Sequence, residues 1–172
     1  MILDNWWIYK KAISDYSIQW SSWNIITPGL IDTNGNSCSI VLDAPWQANY
    51  CSMAHNNYAS RGEISFTLGS GTTAPAKTDY NLENDITSSF SNVTFTKSSV
   101  ESSDDLEITY VITGTNNSAN TLTISEIGYL KYIYYQASFN TDPVMMAREV
   151  LNEPLIVEPN QSFTINFVWT ER

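Results

Sequence analysis

A single histidine, His55, limits the acid–base and nucleophilic chemistry open to this 172-residue chain. A Ser-His-Asp or Cys-His arrangement would have to be built on it. It stands among Asn56, Asn57 and Tyr58, where an ordinary surface or partly buried histidine is expected. Hydrolysis of a glycoside by paired carboxylates would draw on Asp142, Glu149 or Glu153, and nothing in their spacing brings two of them to a working separation. Glu101 with Ser102, Ser103, Asp104 and Asp105 offers hard oxygen ligands for calcium but lacks the spacing of an EF-hand loop. A solvated turn ahead of a strand is the expectation there. Cys38 and Cys51, the only cysteines, have no CxxC pair or histidine cluster beside them, so two buried thiols are expected rather than a metal site. There is no Gly-rich phosphate loop ending in Lys-Ser or Lys-Thr. Neither catalysis nor a cofactor is expected.

The residue types that remain unexplained are aromatic. Trp6, Trp7, Tyr9, Tyr16, Trp20, Trp23, Trp46, Tyr50 and Tyr58 crowd into the first third of the chain. Such side chains can bury large apolar area in a neighbouring subunit at ~25 cal/mol per Å², and Trp6, Trp7, Tyr9, Trp20 and Trp23 are the candidate assembly interface. Two other readings stay open: packing on the chain's own β domain, and stacking on sugar rings while Asn side chains bind hydroxyls.

Charge narrows the partners. The formal net charge of −10 disfavours nucleic acid, because non-specific affinity for phosphates comes from Lys and Arg releasing counterions. Charged residues make up 15% of the chain, against about 25% in an average domain, and Ser, Thr and Asn take their place. No stretch approaches the ~20 apolar residues that span a bilayer, and the start lacks a basic region followed by an apolar core. No membrane partner is expected, and folding is expected in the cytoplasm.

The elements that must position these residues change in character along the chain. In residues 1–58 the apolar positions Ile8, Ile13 and Ile18 match neither a helix nor a strand template, although Ser39 to Leu42 reads as a short buried strand after an Asp32-Thr33-Asn34-Gly35 turn. Ala44 to Ala59 fits either a short helix or an irregular loop. From Arg61 the pattern is all β. Ile64, Phe66 and Leu68 alternate, and Gly69-Ser70-Gly71 ends that strand; Thr72 to Ser89 reads as a long surface connection. Val93 and Phe95 restart the alternation. Leu106, Ile108, Tyr110 and Ile112 form one face of a half-buried strand, followed by a turn at Gly114 to Ser118 and a return over Thr121 to Ile127, which together read as a hairpin. Tyr129 to Tyr135, Met145 to Leu151, and Ser162 to Thr170 complete the set, the last after a Pro159-Asn160 turn. The expected fold is mainly β, an antiparallel β-sandwich of immunoglobulin-like type over residues 59–172, with an irregular aromatic-rich segment over residues 1–58 that serves as a docking arm or adds strands.

Three stretches carry a resemblance. They are Leu68-Gly69-Ser70-Gly71-Thr72-Thr73-Ala74-Pro75 through Asp79-Tyr80-Asn81-Leu82-Glu83; Leu122-Thr123-Ile124-Ser125-Glu126-Ile127-Gly128; and Ala147-Arg148-Glu149-Val150-Leu151 leading to Val157-Glu158-Pro159-Asn160-Gln161-Ser162-Phe163-Thr164. In this order they resemble small virion proteins of tailed bacteriophages, of the tail-fibre or minor structural type. The resemblance covers about residues 60–172. It implies a β-sandwich module of the virion's head, neck or tail whose partners are copies of itself, as a homo-oligomer or symmetric copies on the particle, and other virion proteins. The motifs hold no catalytic content, so no functional residue carries over. Glu126 beside Gly128 is placed to hold a neighbouring loop, with Arg148 as one partner. The alternative function is a receptor- or carbohydrate-binding module.

Overall fold

The computed structural model describes residues 1–16, 24–42, 64–101, 106–134 and 141–171. It is mainly β: among the described residues one α-helix, α1 (Asp4–Tyr16), precedes β1 (Asn24–Ile31), β2 (Ser37–Leu42), β3 (Ile64–Gly69), β4 (Phe90–Glu101), β5 (Leu106–Asn116), β6 (Leu122–Tyr134), β7 (Thr141–Val157) and β8 (Ser162–Glu171). Besides the β1-β2 hairpin there are two antiparallel three-stranded sheets, β3-β6-β7 and β4-β5-β8. Each is built from consecutive strands, β6-β7 or β4-β5, plus one strand from elsewhere in the sequence. The return over Thr121 to Ile127 is therefore not a hairpin partner of β5. β5 pairs with β4 and β8, and β6 pairs with β3 and β7, so the chain crosses between sheets after Asn116. The buried Asn116 side chain fixes that corner, donating to the carbonyls of Asn120 (2.8 Å) and Val157 (2.9 Å) and accepting from the Ser118 N–H (2.9 Å).

Aromatic side chains join the inner faces of the two sheets. The Phe66 ring on β3 lies 5.4 Å from Phe95 (β4), 5.2 Å from Tyr110 (β5) and 5.4 Å from Phe167 (β8), all tilted or edge-on, as ring quadrupoles prefer. Ile108, Tyr110 and Ile112 are fully buried, and Phe163, Phe167 and Trp169 face the same core, as their alternation predicts.

Residues 1–58 are not wholly irregular. Trp6 and Tyr9, three apart on α1 as helical spacing requires, are buried in the main core, and Leu3 just before the helix is buried with Leu82, Leu130 and Met145. Asp4 in the first turn favours the positive end of the helix dipole. The Trp6 ring meets Trp169 of β8 edge-on at 5.3 Å. The Asn5 amide clips α1 to two strands, donating to the Ile31 carbonyl (3.0 Å) and the Met145 carbonyl (3.1 Å) and accepting from the Ile31 N–H (3.0 Å). The turn at Asp32 forms as read from the sequence. Its carboxylate accepts the N–H groups of Asn34 (2.8 Å) and Asn36 (2.7 Å), and Gly35 takes φ +84°. The ambiguous Ala44 to Ala59 stretch lies outside the described residues.

Candidate functional site

Two arrangements stand out, one buried and one bare. The buried one lies on the face of β3-β6-β7 that points away from the other sheet. Here the connection over residues 70–89 folds down onto the strands, with Leu82 inserted among Leu3, Leu130 and Met145. Gly128 makes room for it: a Cβ there would stand 2.6 Å from Thr67 Cγ2 and 2.9 Å from Met145 Cε. Beside this cluster the fully buried Glu126 accepts the N–H groups of Gly71 (2.9 Å) and Asn84 (3.0 Å) at Oε1, and that of Glu83 (3.2 Å) at Oε2. Arg148 closes the ring. Its Nε donates to Glu126 Oε2 (2.8 Å) and its Nη1 to Asp79 Oδ2 (2.7 Å). Nη2 lies 2.8 Å from Glu126 Oε2, an ion contact without hydrogen-bond alignment. Glu83 in turn accepts from the N–H groups of Thr72 and Thr73 at 2.9 Å.

The three stretches that carry the resemblance therefore meet at one place, since Gly71, Asp79 and Glu83 come from the first, Glu126 from the second and Arg148 from the third. Burial pushes the Arg148 guanidinium down, and its bonds to Asp79 and Glu126 outweigh this, so it is held above its ordinary value. Bonds from the Thr73 N–H and hydroxyl hold Glu83 below the usual carboxylate range. Every carboxylate in the group is occupied by N–H donors or by Arg148. This is the chemistry of a clamp, with no carboxyl left as an acid or base.

The bare arrangement is the outer face of β4-β5-β8. Across the strands Thr94, Thr113 and Thr164 form one row, Thr96, Val111 and Asn166 the next, and Ser98, Thr109 and Val168 a third. The β4 and β8 members are exposed, the β5 members half-buried. Hydroxyls bond along the rows, Thr94 with Thr113 at 3.2 Å and Thr115 with Ser162 at 3.0 Å. Glu107 is the one charged side chain described on this face. Both edges of the sheet lack a neighbouring strand among the described residues.

A cleft of about 580 Å³ opens between β3 and β4, with Phe66, Phe95, Ile112 and Tyr132 in its lining. Its polar wall is bonded internally: the Thr67 hydroxyl donates to Asp85 (2.8 Å), and the Thr87 N–H donates to the same carboxylate (2.7 Å).

No family model, curated protein or solved structure matches the chain.

Of the aromatic candidates, Trp6 and Tyr9 are buried in the chain's own core and Trp7 is 54% exposed; Trp20 and Trp23 lie outside the described residues. So do His55, Cys51 and Ser102 to Asp105. Glu149 and Glu153 are exposed on β7. Among the described residues no group of three His, Cys, Asp or Glu side chains is placed to hold a metal ion, and no helix is long and apolar enough to cross a membrane. Arg148, one of the partners open to Glu126 from the sequence, is the one the structure pairs with it; the bare face is spelled by the outward positions of the alternating strands.

Proposed function

We propose that the chain is a non-enzymatic structural component of a tailed-phage virion, at the neck, collar, head fibre or tail attachment, acting by assembly with copies of itself and other virion proteins. The observation that carries this reading is the outer face of β4-β5-β8: an almost uncharged platform whose β8 edge has no neighbouring strand among the described residues, on a chain of formal charge −10. Open edges are templates for another chain's backbone, and monomeric proteins blunt them with Lys, Pro, bulges or cover. The two sheets are read as layers of an antiparallel sandwich of immunoglobulin-like type. The location is the virion, reached after folding in the host cytoplasm.

The receptor- or carbohydrate-binding alternative calls for a flat row of exposed aromatics. Among the described residues the exposed aromatics are Trp7 and Tyr80, and the polar wall of the cleft is bonded to itself, which favours assembly. The test is to label purified phage particles from the source with an antibody to the recombinant chain and to search disrupted particles by mass spectrometry. Labelling at one fixed site is expected. Particles without the protein would overturn the virion reading and bring glycan binding forward.

A further inference from the structure

We infer that β8 is the docking edge for a second copy of this chain, the two β8 strands pairing antiparallel about a two-fold axis at Asn166. The inference rests on the assembly reading and names its partner.

The backbone sets which groups are on offer. The Asn116 N–H donates to the Gln161 carbonyl at 3.0 Å, which marks that pair as the bonded type in an antiparallel ladder. The register continues without a bulge from Thr115 opposite Ser162 to Leu106 opposite Glu171. Bonded and non-bonded pairs alternate. Phe163, Ile165, Phe167 and Trp169 therefore turn their N–H and C=O groups to β5, and Ser162, Thr164, Asn166, Val168 and Thr170 turn theirs to the edge that has no neighbouring strand among the described residues. Those five residues are exposed, with Val168 at 49%.

The choice of occupant follows from charge and symmetry. Ser162 to Thr170 contains no Lys, Arg, Asp, Glu or Pro. A second copy carries the same charge of −10, so it docks with least opposition where neither surface brings a carboxylate. A two-fold contact uses the same patch on both copies, and antiparallel pairing about Asn166 sets Thr164 opposite Val168 of the second copy and Ser162 opposite Thr170. The other open edge is a poorer template. β4 has a register shift between Ser91 and Thr94, with Asn92 at φ +54°, and such irregularities blunt edges.

Sedimentation equilibrium on the full chain tests this. The wild type should sediment at twice the chain mass. Asn166→Lys sets two ammonium groups face to face at the axis and should weaken the dimer at least about tenfold, with an unchanged circular dichroism spectrum. Thr164→Glu combined with Val168→Lys sets opposite charges across the axis and should keep the dimer. As a readout independent of charge, Asn166→Cys should form a disulfide joining the two copies at residue 166, identified by peptide mass spectrometry. A monomer at millimolar concentration, a dimer indifferent to Asn166→Lys, or no link at residue 166 would overturn the inference. A monomeric chain that nevertheless labels particles overturns the β8 pairing alone; a dimer absent from particles overturns the virion location alone.

Discussion

The two sheets share one core and differ in what covers them. On β3-β6-β7 the side away from the core carries the 70–89 connection and the residues before α1, so Ile124 to Lys131 of β6 are buried without a break. Its edges are covered too: Leu3 N–H donates to the Met146 carbonyl and Arg148 N–H to the Met1 carbonyl at 3.0 Å, while the Ile86 N–H reaches the Leu68 carbonyl at 2.9 Å. On β4-β5-β8 burial alternates residue by residue, and neither edge has a neighbouring strand among the described residues. The difference teaches where each part of the sequence acts. Buried charge and glycine are concentrated on the covered sheet to hold its own loop, whereas the other sheet presents hydroxyls that bond only along its own rows and a β8 edge without a neighbouring strand among the described residues.

Breaking the clamp should have the largest effect. Arg148→Ala leaves the buried Glu126 with its N–H donors but without its cation, and should cost about 3–5 kcal/mol in urea unfolding. Trp6→Ala should cost a similar amount, about 3–5 kcal/mol, because Trp6 belongs to the core between α1 and β8; Trp7→Ala, at an exposed site, should stay within about 0.5 kcal/mol. The pair separates a packed helix from a detachable arm by thermal melting. Gly128→Ala pushes a methyl against Thr67 and Met145 and should cost about 1–3 kcal/mol.

Acid should next loosen the loop on the covered sheet and the β1-β2 turn. Bonds from Thr73 lower Glu83 from 4.5; in Asp32 burial acts upward, but the N–H groups and side chains of Asn36 and Asn34 outweigh it and lower the group from 3.8. Protonation therefore favours the unfolded chain. Their contribution is complete at neutral pH and is lost as pH falls below those ordinary values, to be seen as faster amide exchange at Thr72, Thr73 and Asn34 in acid. The smallest effect is expected on the bare sheet, where Thr113→Val should change the melting free energy by less than about 0.5 kcal/mol.

How far the sequence was legible follows the same division. β5 and β8 face solvent on one side, so their period of two was plain and their inward residues were read correctly. Ile124 to Lys131 of β6 and Val144 to Arg148 of β7 are buried on both faces, so Ser125-Glu126-Ile127-Gly128-Tyr129-Leu130-Lys131 has no alternation to read, and β7 runs from Thr141 to Val157, well beyond the stretch expected. The turn signal at Gly114 to Ser118 told that the chain turns near there but not into which sheet. The helix is not legible in Ile8, Ile13 and Ile18, because the described side chains it buries are Asn5, Trp6 and Tyr9. In the clamp, Arg148 was within sequence reach of Glu126, but Asp79 is 69 residues from Arg148 and joins it only through the fold of the loop.

The most direct test of the account is backbone amide exchange followed by NMR on dilute and concentrated chain. If the bare sheet is the assembling one, the amides of Thr164, Asn166 and Val168 should exchange fast when dilute and slow when concentrated, while those of Ile127 and Tyr129 stay slow in both. Outward β8 amides that exchange at the same rate at every concentration would contradict it.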